Sequence, residues 1–206
     1  FNFEGKVAVI TGASSGIFQA VAKGYAESGA KVAIIDINMA GSEETKKAIE
    51  EKGGVAKIYK CDVSKVPMIV ETVAQILKDF GKIDILINGA GVNFRSPSVD
   101  HPEDKWDFVV DIQCKGAFFM CREVGRHMIE RGEGGKIINT SSMLAWSGGY
   151  IVPAYAAGKA GITQVTKALC NEWSKLGINV NAIAPGYILT QITKPIHDDP
   201  ERNKTI

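Results

Sequence analysis

A doubly wound α/β fold, with one parallel sheet of six strands covered by helices on both faces, is what this 206-residue chain predicts. Three observations carry that prediction. Short apolar runs rich in β-branched residues alternate with longer amphipathic stretches along the whole chain. A glycine-rich turn joins the first run to the first helix, and an aspartate closes the second run. Apolar strands separated by helical stretches belong to parallel sheets buried on both faces and linked by right-handed crossovers.

Taken in order, KVAVI (6–10) is the first strand, and the turn TGASSGIF (11–18) leads into a helix near 17–28. KVAIID (31–36) follows, then a helix over 42–52, the strand VAKIYKC (55–61), a helix over 67–80 and the strand IDILIN (83–88). The apolar spacing over 103–131 reads as one long helix. KIINT (136–140), a helix over 154–176 and INVNAIA (178–184) complete the alternation. The tail PIHDDPERNKTI is polar and proline-punctuated, a lid helix or a frayed end. This length supports one sizeable core and no linker interrupts it, so residues 1–206 are expected to form a single domain.

Composition narrows the function. With a net charge of +1 and no Lys/Arg cluster, nothing points to nucleic acid. No apolar run reaches membrane-spanning length and FNFEGK is not a leader sequence, which predicts a soluble, cytoplasmic protein. Cys61, Cys114, Cys121 and Cys170 make no CxxC pair, and the three histidines lie far apart, so no metal site is expected.

The first turn has the chemistry of a phosphate cradle. Gly12 and Gly16 permit a tight bend in which backbone N–H groups of Ser14, Ser15 and Ile17 meet a pyrophosphate at the positive end of a helix. Asp36 stands twenty residues after Gly16 at the end of the second strand, where a carboxylate accepts hydrogen bonds from an adenosine ribose. It would also repel a 2′-phosphate, and INMAGSEE after it brings no base, so NAD is favoured over NADP. Asp62 and Val63 in CDV, and Asn88, Ala90 and Gly91 in NGAG, end the next two strands at the same edge. Asp62 is positioned to accept from the adenine amino group.

A second group of residues follows the fifth strand. Ser142 lies in TSSMLAW, Tyr155 thirteen residues later in YAAGK, and Lys159 four residues further. Positions four apart share a helix face, which brings the Lys159 ammonium near the Tyr155 phenol. A free phenol ionises near pH 10, so service as an acid or base at neutral pH takes about 4 kcal/mol of help, which a nearby cation can supply. Arg95 follows NGAGVNF in a loop at this edge, where its guanidinium could pair with a sugar-acid carboxylate.

TGxxxG, Asp36, Asp62, NxAG, a serine thirteen residues before YxxxK, and PGYIxT at 185–190 together resemble the short-chain dehydrogenase/reductase family, over essentially the whole chain. The resemblance implies a Rossmann-type sheet with Tyr155 as general acid/base. Lys159 lowers the phenol pKa and holds the nicotinamide ribose, Ser142 positions the reacting oxygen, and Pro185, Gly186, Ile188 and Thr190 flank the nicotinamide. Sugar-acid and polyol oxidoreductases are the members most similar, with the substrate near Arg95, Ser142 and Tyr155. The family also implies a homodimer or homotetramer built on the two long helices. A 3-oxoacyl thioester reductase and a non-catalytic nucleotide-binding protein are the alternatives.

Four features depart from that pattern. Phe18 stands where the family carries a third glycine, Gly89 where it carries a second asparagine, and Gln113 where an asparagine supports a catalytic proton relay. Phe18 is expected to intrude on cofactor space or displace the loop, so that Phe18→Gly tightens NADH binding. Gln113→Asn is expected to raise kcat. The chain is also several tens of residues short of family length, so the family's C-terminal strand is expected to be missing.

Overall fold

Each β-rich run is a strand: β1 (Val7–Thr11), β2 (Lys31–Asp36), β3 (Val55–Lys60), β4 (Ile85–Asn88), β5 (Gly135–Thr140) and β6 (Ile178–Ile183). The computed structural model describes residues 1–190, 193–194 and 198–200. The strands form one parallel sheet in the order β3-β2-β1-β4-β5-β6. The chain leaves β1 toward one edge and returns through β4 toward the other, which opens a crevice above the C-terminal ends of β1 and β4. In register, Thr11 faces Ile35 on one side and Asn88 on the other, and Asn88 faces Asn139.

The helices are α1 (Gly16–Glu27), α2 (Met39–Glu50), α3 (Val66–Phe80), α4 (Glu103–Val110), α5 (Ala117–Arg131), the short α6 (Leu144–Ser147) and α7 (Pro153–Trp173). All five residues of β1 are buried, as a strand covered on both faces requires. Its side chains divide between two cores. Ala8 and Ile10 pack with Phe18, Ala22 and Ala26 of α1, whereas Val9 joins a layer containing Ile69 and Val73 of α3, Met120 of α5 and Trp173 of α7.

Two expectations are corrected. The second helix starts at Met39 because the Asn38 side chain caps it, accepting from Gly41 N at 3.2 Å. The stretch 103–131 is not one uniform α-helix: α4 passes through a π-helical segment, Asp111–Gly116, into α5. Residues 195–197 and 201–206 lie outside the described residues, and the expectation of a lid or frayed end falls largely on them. Among the described residues no helix is long and apolar enough to cross a membrane, and no group of three His, Cys, Asp or Glu could hold a metal. The four cysteines are free thiols.

Candidate active site

The turn after β1 is shaped by two glycines in the left-handed region, Gly12 (φ 71°) and Gly16 (φ 60°). A side chain at Gly12 would also stand 2.7 Å from Ala90 N, so the turn lies directly against the chain leaving β4. Ser15 caps α1 in extended conformation without a side-chain hydrogen bond, so no side chain there occupies the helix's first-turn N–H groups. Ser14, Ser15, Gly16 and Ile17 line a cavity of about 380 Å³ with Asp36, Asp62, Val63, Ala90 and Gly91. Asp36 is anchored by Ser14 N (3.1 Å) and Asn38 N (2.9 Å), which leaves its carboxylate further lone pairs for a ligand. Asp62 is held by Ser64 N at 2.9 Å. A turn held by two left-handed glycines, a helix start whose N-cap side chain makes no hydrogen bond and a fixed carboxylate lining the same cavity fit a dinucleotide.

Asn88 requires a correction, since it lines neither this cavity nor the next. Its amide is buried, donating to Asn139 Oδ1 (2.9 Å), Cys121 Sγ (3.2 Å) and the Ala117 carbonyl (3.3 Å). Asn139 in turn donates to Thr166 Oγ1 at 2.9 Å. The alternation of β4 points this side chain toward α5, where it ties β4 to β5 and, through Asn139, to α7. Thr11, which the motif reading passed over, does the neighbouring work: its Oγ1 accepts from both Gly89 N and Ala90 N at 3.0 Å.

Phe18 departs from expectation as well. The ring is 7% exposed and packs in the core between α1 and the sheet, over Gly89, while the loop keeps its two left-handed glycines. The turn thus keeps its glycine geometry, and the missing side chain at Gly89 leaves the ring a place inside, from which it still lines both cavities.

A second cavity, of about 540 Å³, shares Ile17, Phe18, Gly89, Gly91 and Thr190 with the first and brings together Ser142, Tyr155, Lys159, Gln113 and Arg95. Pro185, Gly186 and Ile188 line it too. Lys159 is 4% exposed; its ammonium donates to the Thr140 carbonyl at 2.7 Å and lies 5.6 Å from the Tyr155 ring centroid. Burial pushes the Lys159 pKa down to about 7. Burial also raises the Tyr155 pKa, and a hydrogen bond with Ser142 offsets part of that rise. The expected cation-driven lowering of the phenol does not appear in this arrangement: the ammonium donates to the Thr140 carbonyl, and burial is the largest influence on the phenol.

Gln113 sits in the π-helical segment, 2% exposed, with Nε2 donating to the Val92 carbonyl at 2.6 Å. Its Oε1 is buried without a protein partner among the described residues. Gly91 and Gly158 make room for it, since a Cβ at either would stand 3.1 and 2.8 Å from Gln113 atoms. Arg95 lines the same cavity, and its Nη2 donates to the Tyr150 carbonyl at 3.3 Å. Sequence reasoning missed Thr140 and Tyr150 because they act through backbone carbonyls, which residue type does not signal.

The family model described as short chain dehydrogenase matches residues 6–201. The 2-dehydro-3-deoxy-D-gluconate 5-dehydrogenase of Pseudoalteromonas atlantica is 42% identical over 207 residues, spanning 100% of this chain and 81% of that protein. The crystal structure of a gluconate 5-dehydrogenase from Burkholderia cenocepacia J2315 in complex with NADP and tartrate superposes with TM-score 0.93 at 32% identity, over 99% of this chain and 80% of that one. An NAD+-bound xylitol dehydrogenase gives TM-score 0.87 at 37% identity, over 91% of this chain and 72% of that one. A parallel sheet with its crevice at β1 and β4, a glycine cradle in that crevice and a Ser142, Tyr155 and Lys159 cluster beside it thus accompany a sequence match over nearly the full chain, which belongs to the short-chain dehydrogenase family.

Proposed function

We propose that this chain is an NAD(H)-dependent oxidoreductase that interconverts a secondary alcohol and a ketone on a sugar acid or polyol. The observation that carries the proposal is the convergence of Ser142, Tyr155 and Lys159 in a cavity adjoining the glycine cradle. The N–H groups of the turn would hold a diphosphate, Asp36 the adenosine ribose, Asp62 the adenine, and Lys159 the second ribose. Bound there, the nicotinamide supplies or accepts the hydride. Tyr155 gives its proton to the ketone oxygen in reduction and takes it from the hydroxyl in oxidation, while the Ser142 hydroxyl donates a hydrogen bond to the same oxygen. Gln113, through its buried Oε1, would hold a water that passes protons onward from Lys159.

Asp36 argues for NAD, since its carboxylate faces the position where a 2′-phosphate would add negative charge. The solved relatives bind either cofactor, NADP in the gluconate 5-dehydrogenase and NAD+ in the xylitol dehydrogenase, so the choice rests on this chain's own residues. Assembly as a dimer or tetramer through α4, α5 and α7 belongs to the same proposal. Trp106 and Phe108 of α4, 40% and 49% exposed, offer apolar surface for it.

The test is a turnover screen with NAD and NADP against gluconate, 2-deoxygluconate, hexuronate derivatives and simple polyols. Oxidation of a sugar acid or polyol with NAD is expected. A strict NADP preference overturns the Asp36 argument, and NADH binding without turnover on any substrate or carbonyl favours a non-catalytic binder. Arg95 separates the two substrate classes: Arg95→Ala is expected to raise KM for the acid by about tenfold, the size of one charge-assisted contact, while sparing neutral polyols. An equal effect on both removes Arg95 from carboxylate recognition.

A further inference from the structure

Phe18 and Gly89 touch where the two cavities meet. A Cβ built on Gly89 would lie 2.2 Å from Phe18 Cγ and 2.5 Å from Cδ2, so the ring fills the volume that a side chain at 89 needs. Gly89 is not among the glycines at positive φ, so its backbone conformation does not itself demand glycine, and the atoms nearest to an added Cβ all belong to the Phe18 ring. The Gly89 and Ala90 N–H groups are tied to Thr11 Oγ1 at 3.0 Å, and the Phe18 ring covers the glycine thus held. Both residues line both cavities. Asp36 and Asp62, by contrast, are fixed by Ser14, Asn38 and Ser64 N–H groups that do not involve this contact.

We propose that Phe18 and Gly89 form a matched pair that sets the path of the chain leaving β4 and thereby positions the nicotinamide half of the cofactor relative to Tyr155, leaving the adenosine half unaffected. The proposal rests on the dinucleotide reading of the site. Removing the ring opens a void beside Gly89 and frees the strand end. Adding a methyl at 89 forces the ring or the strand end aside. Either change shifts the wall along which the molecule passes from the first cavity to the second. Both changes together restore a filled volume in part, so their effects are coupled.

The experiment is a double-mutant cycle of Phe18→Ala and Gly89→Ala, read by NADH and AMP dissociation constants and by the Tm of the ligand-free protein. Each single variant is expected to weaken NADH about fivefold or more and lower Tm, the double to recover part of both losses, and AMP binding to stay within about twofold throughout. Equal losses for AMP and NADH reduce the pair to a packing role, and losses that simply multiply in the double show the residues to be unmatched. Should Phe18→Ala not fold, Phe18→Leu takes its place: an NADH affinity as strong as wild type when combined with Gly89→Ala supports the match, and the same loss as Gly89→Ala alone overturns it. A wild type that binds neither NADH nor AMP sinks the dinucleotide reading and the positioning role with it, while the Tm cycle still decides whether the two residues are matched.

Discussion

Lys159 meets two demands that conflict. An ammonium at 4% exposure loses most of its hydration, and the Thr140 carbonyl restores only part of it. With the folded pKa at about 7 and the unfolded value near 10.4, the unfolded chain binds more protons throughout that window. The cost of burial is therefore fully present below pH 7 and fades as pH rises toward 10. Lys159→Met should abolish turnover yet raise the ligand-free Tm at pH 6, each ~1 kcal/mol appearing as about 2–4 °C in a domain of this size. That advantage should shrink at pH 9. Thermal scans at the two pH values check the sign, and a Tm gain that does not fall with pH would show that the ammonium is already well solvated.

At the scale of the element, the passage from α4 to α5 decides where Gln113 points. Buried positions run Val109, Gln113, Ala117, Cys121 and Gly125 beside Ile112, Gly116, Met120, Val124 and Met128, spaced by four. An α-helix of 3.6 residues per turn drifts about 40° at each such step, and a π-helical segment, being wider, absorbs part of the drift. The Gln113 amide is thereby delivered to the Val92 carbonyl and to the cavity lined by Ser142 and Tyr155 together. This geometry reverses the expectation drawn from the family pattern. Gln113→Asn shortens the side chain by one methylene and should lose the Val92 bond, lowering kcat by about fivefold, the worth of one hydrogen bond. Steady-state kinetics with the preferred substrate decide it.

The same elements show what the sequence could and could not convey. Strand runs such as VAVIT and KVAIID are legible because uninterrupted β-branched residues have few other uses, and Tyr155 with Lys159 because helix spacing makes them neighbours. The π-helical segment was not, since a four-residue spacing of apolar positions also fits an ordinary helix. Asn88 was misdirected because the residues that decide its orientation, Cys121 and Asn139, are 33 and 51 positions away. Phe18 looked like an obstruction for the same reason: the glycine that accommodates it is distant in sequence and its significance is an absent side chain.

Over the whole molecule, the two ends of the sheet carry different duties. Opposite the cavities, Asp84 precedes β4 at 5% exposure, accepting from Val7 N at 2.9 Å and facing Arg131 (3.2 Å), Lys82 (3.3 Å) and Lys6 (3.8 Å). Burial works against its charge, but the Val7 N–H, Lys82 and Arg131 outweigh it and hold the carboxyl below the usual carboxylate range. Its contribution to stability is therefore present above about pH 4 and lost as pH falls through the lowered value. Asp84→Ala removes a buried carboxylate together with its Val7 N–H bond and its pairing with the partly exposed Arg131, and should cost about 2 kcal/mol in chemical denaturation, with NADH affinity unchanged. A loss of NADH affinity in the folded variant would show that the two ends are coupled.

The Asp84 cluster has a genetic corollary. Substitutions at Asp84 or Arg131 would yield temperature-sensitive alleles, working in the cold and failing in the warm as the folded fraction falls. Substitutions at Ser142 or Tyr155 would yield loss at every temperature with the protein still accumulating. A two-temperature growth selection would thus sort mutations by the end of the sheet that they strike.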